Sequence, residues 1–355
     1  MSWSPRGQNA RAPHQSGRFT GDGVLILDKP VGMTSHDVVQ ELKNKLGAAK
    51  AGHAGTLDPF ATGVLVVFIN GATKLSPFLA SQEKTYRFTI AFGVATDTQD
   101  RTGTVVDDNL PCEPLQEREI REACAAFVGE IEQRVPRYSA VRVKGQRLYR
   151  LARQGVQVTP PTRKVKIKSF SLCEVRWPEV SFEVTCSKGT YVRSLAMDVA
   201  QYLHCNGHVG KLRRLRSGWF HLGQALSLEQ LDGIVARGEL DQVLIPPAQA
   251  LEGYPAIRIS HRAAGRMRRD GVLNSREVLD DHQGQARAEG PYKVVDPEGD
   301  LVAVVRKSGK ALQDEEHREA RFETLRVFQQ SSRNRGCGYL PRDVLFPCVG
   351  DDDQA

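Results

Sequence analysis

The chain has 355 residues, 40% of them apolar, with 49 Lys and Arg against 42 Asp and Glu, a net charge of +7. Its mean hydropathy of −0.39 and pI near 9.0 fit a globular protein with a polyanionic partner and argue against a membrane protein or a wholly unfolded chain. The longest apolar run, Val64 to Ile69, is far short of the ~20 residues needed to span a bilayer. The first residues lack the apolar stretch of a secretory signal, so a cytoplasmic protein is expected. Seven cysteines, an odd number with no C-x-x-C spacing, suggest reduced thiols rather than a disulfide framework or a zinc site.

Residues 1–20 carry Arg6, Arg11 and Arg18 and no acid, and read as a disordered basic arm. Gly23 to Asp28 reads as a buried strand, and Lys29 to Ser35 as a Pro- and Gly-interrupted loop. Ser35 is the expected N-cap of a helix starting near His36, with Val38, Val39, Leu42 and Leu46 at helical spacing. Gly52 to Gly63 reads as a loop. Val64 to Ile69 is a strand buried on both faces, and Tyr86 to Phe92 another strand. Residues 117–128 have helical periodicity. Arg163 to Val175 and Val180 to Cys186 alternate and read as an antiparallel pair joined at Trp177-Pro178-Glu179. Ser187 to Thr190 leads into a helix with Val192, Leu195, Ala196, Val199, Ala200 and Leu203 on one face. This mixture lacks a strict βαβ rhythm, so an α+β fold with an antiparallel-rich sheet is expected. A boundary near Pro246 to Pro255 precedes a basic helical stretch (Arg262, Arg266, Arg268, Arg269) and short strands at 292–295 and 301–305. Residues 331–355, ending in three aspartates before Gln354 and Ala355, read as a solvated tail.

The densest cluster of unusual residues is Gly52 to Gly63, where Asp58 sits on a loop just before a buried strand. Two readings are open. Asp58 is an Asp-Pro turn residue bonded to its own backbone, or it is a nucleophilic or basic carboxylate on a loop held by a rigid scaffold. His53, with no second ligand at metal spacing, reads as a loop histidine. Tyr191 and Arg193 stand at a strand-to-helix junction, where an aromatic ring can stack on a base and a guanidinium can clamp an anion. Thr96 to Asp100 reads as a hydrogen-bonded turn. Two basic runs, Arg163 to Lys168 and Lys211 to Arg216, suggest an RNA backbone footprint. No phosphate loop, dinucleotide fingerprint or HExxH zinc motif occurs.

Taken together and in order from Gly23 to Leu222, these segments closely resemble the TruB family of tRNA pseudouridine synthases. Lys29 to Ser35 resembles that family's K-P-x-G-x-T-S motif, Gly52 to Pro59 its G-H-x-G-T-L-D-P motif, and Thr96 to Asp100 its T-D-T-x-D segment. Gln133 to Tyr149 resembles its RNA-contacting insertion, and Lys188 to Arg193 and His208 to Arg214 its late motifs. Two departures fall in the insertion: paired prolines appear as Val135-Pro136, and an expected lysine as Arg142.

The resemblance implies isomerisation of uridine-55 in the tRNA T-loop, with Asp58, Tyr86 and Arg193 as catalytic residues. It carries His53, Tyr191, Leu212, Lys29 and Arg147 as substrate-binding residues. His53 would fill the space left by a flipped base, and Tyr191 would wall the uracil pocket. The reaction is redox-neutral, so no cofactor and no metal are expected. The implied fold is a synthase domain over 21–250, with a mixed, mainly antiparallel sheet flanked by helices and the insertion at about 130–155. A PUA-like β-barrel would follow at 251–330. The expected partner is tRNA, through its T-loop and stem, with no membrane, no obligate protein partner and a monomeric state. The competing readings are a non-catalytic tRNA-binding or folding chaperone and a guide-RNA-dependent synthase of the dyskerin type.

Overall fold

A computed structural model describes residues 18–108, 112–143, 145–273, 275–280, 290–307 and 322–329. Most of the expected basic arm and the whole expected acidic tail lie outside these residues.

The chain opens with β1 (Gly23–Lys29), α1 (Ser35–Leu46), β2 (Ala51–His53), β3 (Thr62–Ile69), α2 (Ser76–Leu79) and β4 (Lys84–Phe92). A short hairpin, β5 (Ala95–Thr96) with β6 (Val105–Asp107), leads to α3 (Glu117–Ala126) and β7 (Gly129–Arg134). The insertion then forms a second hairpin, β8 (Arg142–Val143) with β9 (Gln146–Arg147), and α4 (Leu148–Arg153). β10 (Thr162–Arg176), β11 (Glu179–Cys186), α5 (Val192–Tyr202), β12 (Gly207–Ser217) and β13 (Phe220–His221) complete the main sheet. Its order is β1-β3-β12-β4-β11-β10-β7, with β2 on β3 and β13 on β12. The β3–β12 pair is parallel and the other ladders are antiparallel, as the mixed α+β reading expects.

β1 and β3 read as continuous apolar runs because both faces are covered. Leu25, Leu27, Leu65 and Val67 pack with Val38, Leu42 and Leu46 of α1. Val24, Ile26, Val64, Val66 and Phe68 face the other way and share a core with Val295, Leu301, Val304 and Phe328 from the C-terminal part of the chain. On the rest of the sheet, Phe88, Ile90, Val180, Phe182 and Val184 pack against Ile120 of α3 and Leu195 and Val199 of α5.

After α6 (Leu228–Ala236) and α7 (Leu240–Val243), the chain builds a smaller sheet. Its strands are β14 (Ala256–Ile259), β15 (Val278–Asp280), β16 (Pro291–Val295), β17 (Leu301–Lys307) and β18 (Phe322–Val327). Their order is β15-β14-β16-β17-β18, an open path among the described residues. The basic stretch at 262–269 lies in α8 (His261–Asp270), which buries Ala263, Ala264 and Met267 against this sheet.

Four sequence expectations are corrected. The N-cap of α1 is Thr34, not Ser35: the Thr34 hydroxyl accepts from the Asp37 amide while Asp37 reaches back to the Thr34 amide. Ser35 is buried and bonded instead to Leu57. Gly52 and His53 belong to a strand paired with β3, so the loop is shorter than 52–63. Cys112 and Cys205, 93 residues apart with Cα atoms 5.3 Å from each other, form a disulfide in place of the expected free thiols. Two arginines of the second basic run are not free surface charge: Arg213 is half-buried and paired with Asp28, and Arg214 is only 1% exposed.

Candidate active site

The loop carrying Asp58 is fastened from below. The Ser35 hydroxyl accepts from the Leu57 amide (2.8 Å) and donates to its carbonyl (3.2 Å). The Lys29 ammonium, wholly buried at the end of β1, donates to the carbonyls of Pro30, Met33 and Pro59 at 2.8, 2.6 and 3.2 Å. Lys29 therefore ties the loop after β1 to the loop that carries Asp58. Asp58 also keeps the turn that its sequence suggests, since the Ala61 amide donates to its carbonyl. The backbone makes the turn, but the side chain is not bonded to it: the carboxylate points to Arg193.

That carboxylate meets Arg193, on the first turn of α5, in a two-point contact. Arg193 Nε donates to Oδ2 at 2.9 Å and Nη2 to Oδ1 at 3.0 Å. The Asp58 side chain stays 32% exposed and the Arg193 side chain only 4%, so the carboxylate is partly open to solvent while its partner is buried. Arg193 is also held by the Thr98 carbonyl (2.9 Å) and the Tyr138 carbonyl (3.0 Å), with Asp100 at 3.7 Å. Burial pushes the Asp58 carboxyl up, the Arg193 charge pulls it down, and Asp100 pushes it up again; the net direction is upward. A guanidinium is always charged, so its two-point contact favours the ionised form of the Asp58 carboxyl against burial.

Tyr86, on β4, packs in the same core cluster as Leu57, Phe60 and Leu212. Burial raises its hydroxyl above the ordinary value, and the charge of Arg214 opposes the rise. His53 is half-buried on β2, and its Nδ1 is buried with no hydrogen-bond partner. Burial, then the charge of Arg214, lower its pKa, so the ring is neutral at pH 7. Tyr191 caps the start of α5. Its backbone is clamped at both ends by buried Gln133, and the Arg163 guanidinium lies 5.1 Å from its ring centre.

The structure thus brings Asp58, Arg193, Tyr86, Leu212, His53 and Lys29 together around one loop and its sheet. Arg147 stands on the exposed β8–β9 hairpin. Among the described residues, no hydrogen bond or ion pair joins it to Asp58, Tyr86 or Arg193. Between the insertion and the β5–β6 hairpin lies a cleft of about 530 Å³, lined by Asp97, Gln99, Tyr138, Leu148, Leu151 and Met197 among others.

Sequence reasoning missed three groups. Asp100, which reads as a turn residue, is buried and takes the Thr98 and Thr102 hydroxyls and the Thr102 amide while facing Arg193. Lys84, buried at the start of β4, donates to the carbonyls of Ala80 and Gln82. Arg214 belongs to a basic run that reads as surface charge, yet it is interior. Strand alternation is the available signal, since it puts Arg214 on the same face as Leu212.

A model described as the N-terminal domain of the TruB family pseudouridylate synthases matches residues 43–192. A second, the tRNA pseudouridylate synthase B C-terminal domain, matches residues 193–252. The class of protein is that of the pseudouridylate synthases. Among relatives, tRNA pseudouridine synthase B of Syntrophobacter fumaroxidans is 48% identical over 286 residues, covering 79% of this chain and 92% of its own. That of Syntrophus aciditrophicus is 46% identical over 286 residues, covering 80% and 91%. A chain from an H/ACA ribonucleoprotein bound to a substrate RNA containing 2'-deoxyuridine superposes with a TM-score of 0.66 at 25% identity, covering 87% of this chain and 85% of that one. The chain belongs to the TruB family.

Proposed function

We propose that this protein converts uridine-55 in the T-loop of tRNA to pseudouridine. The observation that carries the reading is the half-open Asp58 carboxylate gripped at two points by a buried arginine, beside a buried tyrosine, in a member of this family. The reaction breaks the N1–C1′ bond, turns the base and joins C5 to C1′. Product and substrate are isomers, so the step needs no oxidant or energy source. A carboxylate suits it because it can form and later release a covalent adduct. Arg193 keeps Asp58 ionised and oriented. Tyr86 stacks on the uracil and takes part in removal of the C5 proton.

The target base must leave its folded loop, at a cost of a few kcal/mol. His53, uncharged and half-buried, suits the vacated space. Tyr191 and Leu212 wall the uracil pocket, while Lys29 fixes the loop on which Asp58 rides. Arg147 and the exposed lysines of β10 supply phosphate contacts that position the RNA. The smaller sheet at 251–330 serves as a PUA-like RNA-binding module, and the protein acts as a monomer in the cytoplasm.

The test is incubation with unmodified tRNA transcripts, followed by position-resolved pseudouridine mapping. The expected result is a single new pseudouridine at position 55 with no added guide RNA. Binding without product would point to a tRNA-folding chaperone, and product only with a guide RNA would point to the dyskerin-type reading.

A further inference from the structure

The site holds more buried positive charge than the mechanism above uses. Lys29, Lys84, Arg193 and Arg214 are all buried; Asp58 and Asp100 face Arg193, and Asp58, Asp28 and Asp37 act on Lys29. Arg193 is saturated: its three nitrogens are engaged by Asp58, Thr98 and Tyr138. Lys29 and Lys84 are taken up by backbone carbonyls. Arg214 is different. Nε donates to the Val64 carbonyl at 2.7 Å and Nη2 to the Gly55 carbonyl at 3.1 Å, and among the described residues it forms no ion pair. A guanidinium this deep is costly to keep without an anion.

The sheet points this charge at one group. β12 lies between β3 and β4, and in the β4 ladder Arg214 is directly opposite Tyr86. Residues opposed in this way project from the same face as nearest neighbours. In the β3 ladder Arg214 is opposite Gly63, whose φ of 101° and lack of a Cβ let the two backbones close: a Cβ there would collide with the Arg214 carbonyl. The Arg214 backbone is therefore fixed on both sides, and its charge acts on the Tyr86 hydroxyl.

We infer that Arg214 is a positioning residue for Tyr86: it aims the hydroxyl and supplies the counter-charge that lets Tyr86 act as a phenolate. This deepens, and rests on, the functional reading above. After C5 has joined C1′, C5 still carries its hydrogen and N1 is double-bonded to C6. The C5 proton passes to the Tyr86 phenolate oxygen. The C5–H electron pair becomes the C5=C6 bond, the former C6=N1 pair moves to N1, and N1 takes a proton from water. The phenol then returns its proton to solvent. Burial, and with it Cys186 and Asp58, resists the phenolate, and Arg214 works against that resistance.

The test is single-turnover pseudouridine formation at saturating enzyme, followed over about pH 6 to 10, for wild type, Arg214→Met, Arg214→Lys, Tyr86→Phe and the Tyr86→Phe, Arg214→Lys double variant. Arg214→Met is expected to slow the reaction by about tenfold or more and to move the rising limb of the pH profile to higher pH by about one unit. Arg214→Lys keeps a charge and should retain part of the rate with a smaller displacement. Added to Tyr86→Phe, it should cost less than about twofold, because the group it serves is already gone. Multiplying losses in the double variant, or an Arg214→Met profile that only scales down without moving, would overturn the inference while leaving the function intact. Loss of fold in both Arg214 variants would make Arg214 structural and overturn it too. If wild type forms no pseudouridine, the functional reading falls, and this inference with it.

Discussion

On β10, Lys164, Lys166 and Lys168 are exposed, while Val165 and Ile167 between them are buried. On β12, Arg213 pairs with Asp28 and donates to Thr62, and Arg214 is shut inside the molecule. As strings of letters the two runs look alike. They differ in place. β10 lies next to the last strand of the main sheet and covers its helical layer with one face only. β12 is central, between β3 and β4. A charged residue on a one-sided strand can alternate into water, whereas on a central strand it must find partners inside. The first run stays at the surface, where Lys168 pairs with Glu83. In the second, Arg214 lies inside, opposite Tyr86.

That contrast can be broken at several points. Arg214→Ala should cost the most stability, about 3 kcal/mol or more, because it empties a packed site and strands the Val64 and Gly55 carbonyls. A urea midpoint near wild type would show that β12 tolerates a solvated interior.

A smaller effect concerns pH. Burial pushes Lys84 and Lys29 down to about 8. An unfolded lysine keeps its proton to about 10.5, so between these values the unfolded state binds more protons and stability rises with pH. Below pH 8 both states are charged and this contribution is flat. Lys84→Met should flatten part of the rise in the urea midpoint between pH 8 and 10. An unchanged slope would mean that Lys84 titrates as it does in water.

Arg213→Ala removes a partly exposed ion pair and should cost about 1 kcal/mol in thermal melts. The smallest stability change is expected on β10. Lys164→Ala, Lys166→Ala and Lys168→Ala should each stay within about 0.5 kcal/mol of wild type. Their effect should appear in tRNA binding. The slope of log affinity against log salt should fall by about 1 for each lysine that neutralises a phosphate and is replaced. Salt slopes that do not change would remove β10 from the RNA surface.

Much of the fold is legible because its signals are local. The apolar runs of β1 and β3, the alternation of β10 and β11 and the periodicity of α3 and α5 each need only one segment to be read. The start of α1 is legible to within one residue: Thr34 and Ser35 are both good caps, and Asp37, three residues after Thr34, decides between them. What depends on distant pairing is not legible. Gly52 and His53 become a strand because β3 offers an edge, and Cys112 finds Cys205 across 93 residues. In the site, no spacing in the chain joins Asp58 to Arg193, 135 residues away; family motifs bring them together. Asp100 and Arg214 lie inside those same motifs, yet their burial follows from the sheet order and not from their neighbours in sequence.

The central claim is that the Asp58 carboxylate, oriented by Arg193, performs the chemistry. Asp58→Asn keeps the size of the side chain and removes its charge. The decisive measurement is single-turnover formation of pseudouridine at position 55 by this variant, with tRNA affinity and thermal melting measured on the same preparation. The account predicts no detectable product, with affinity within about fivefold of wild type and an intact fold. Product at the wild-type rate in the asparagine protein would contradict it.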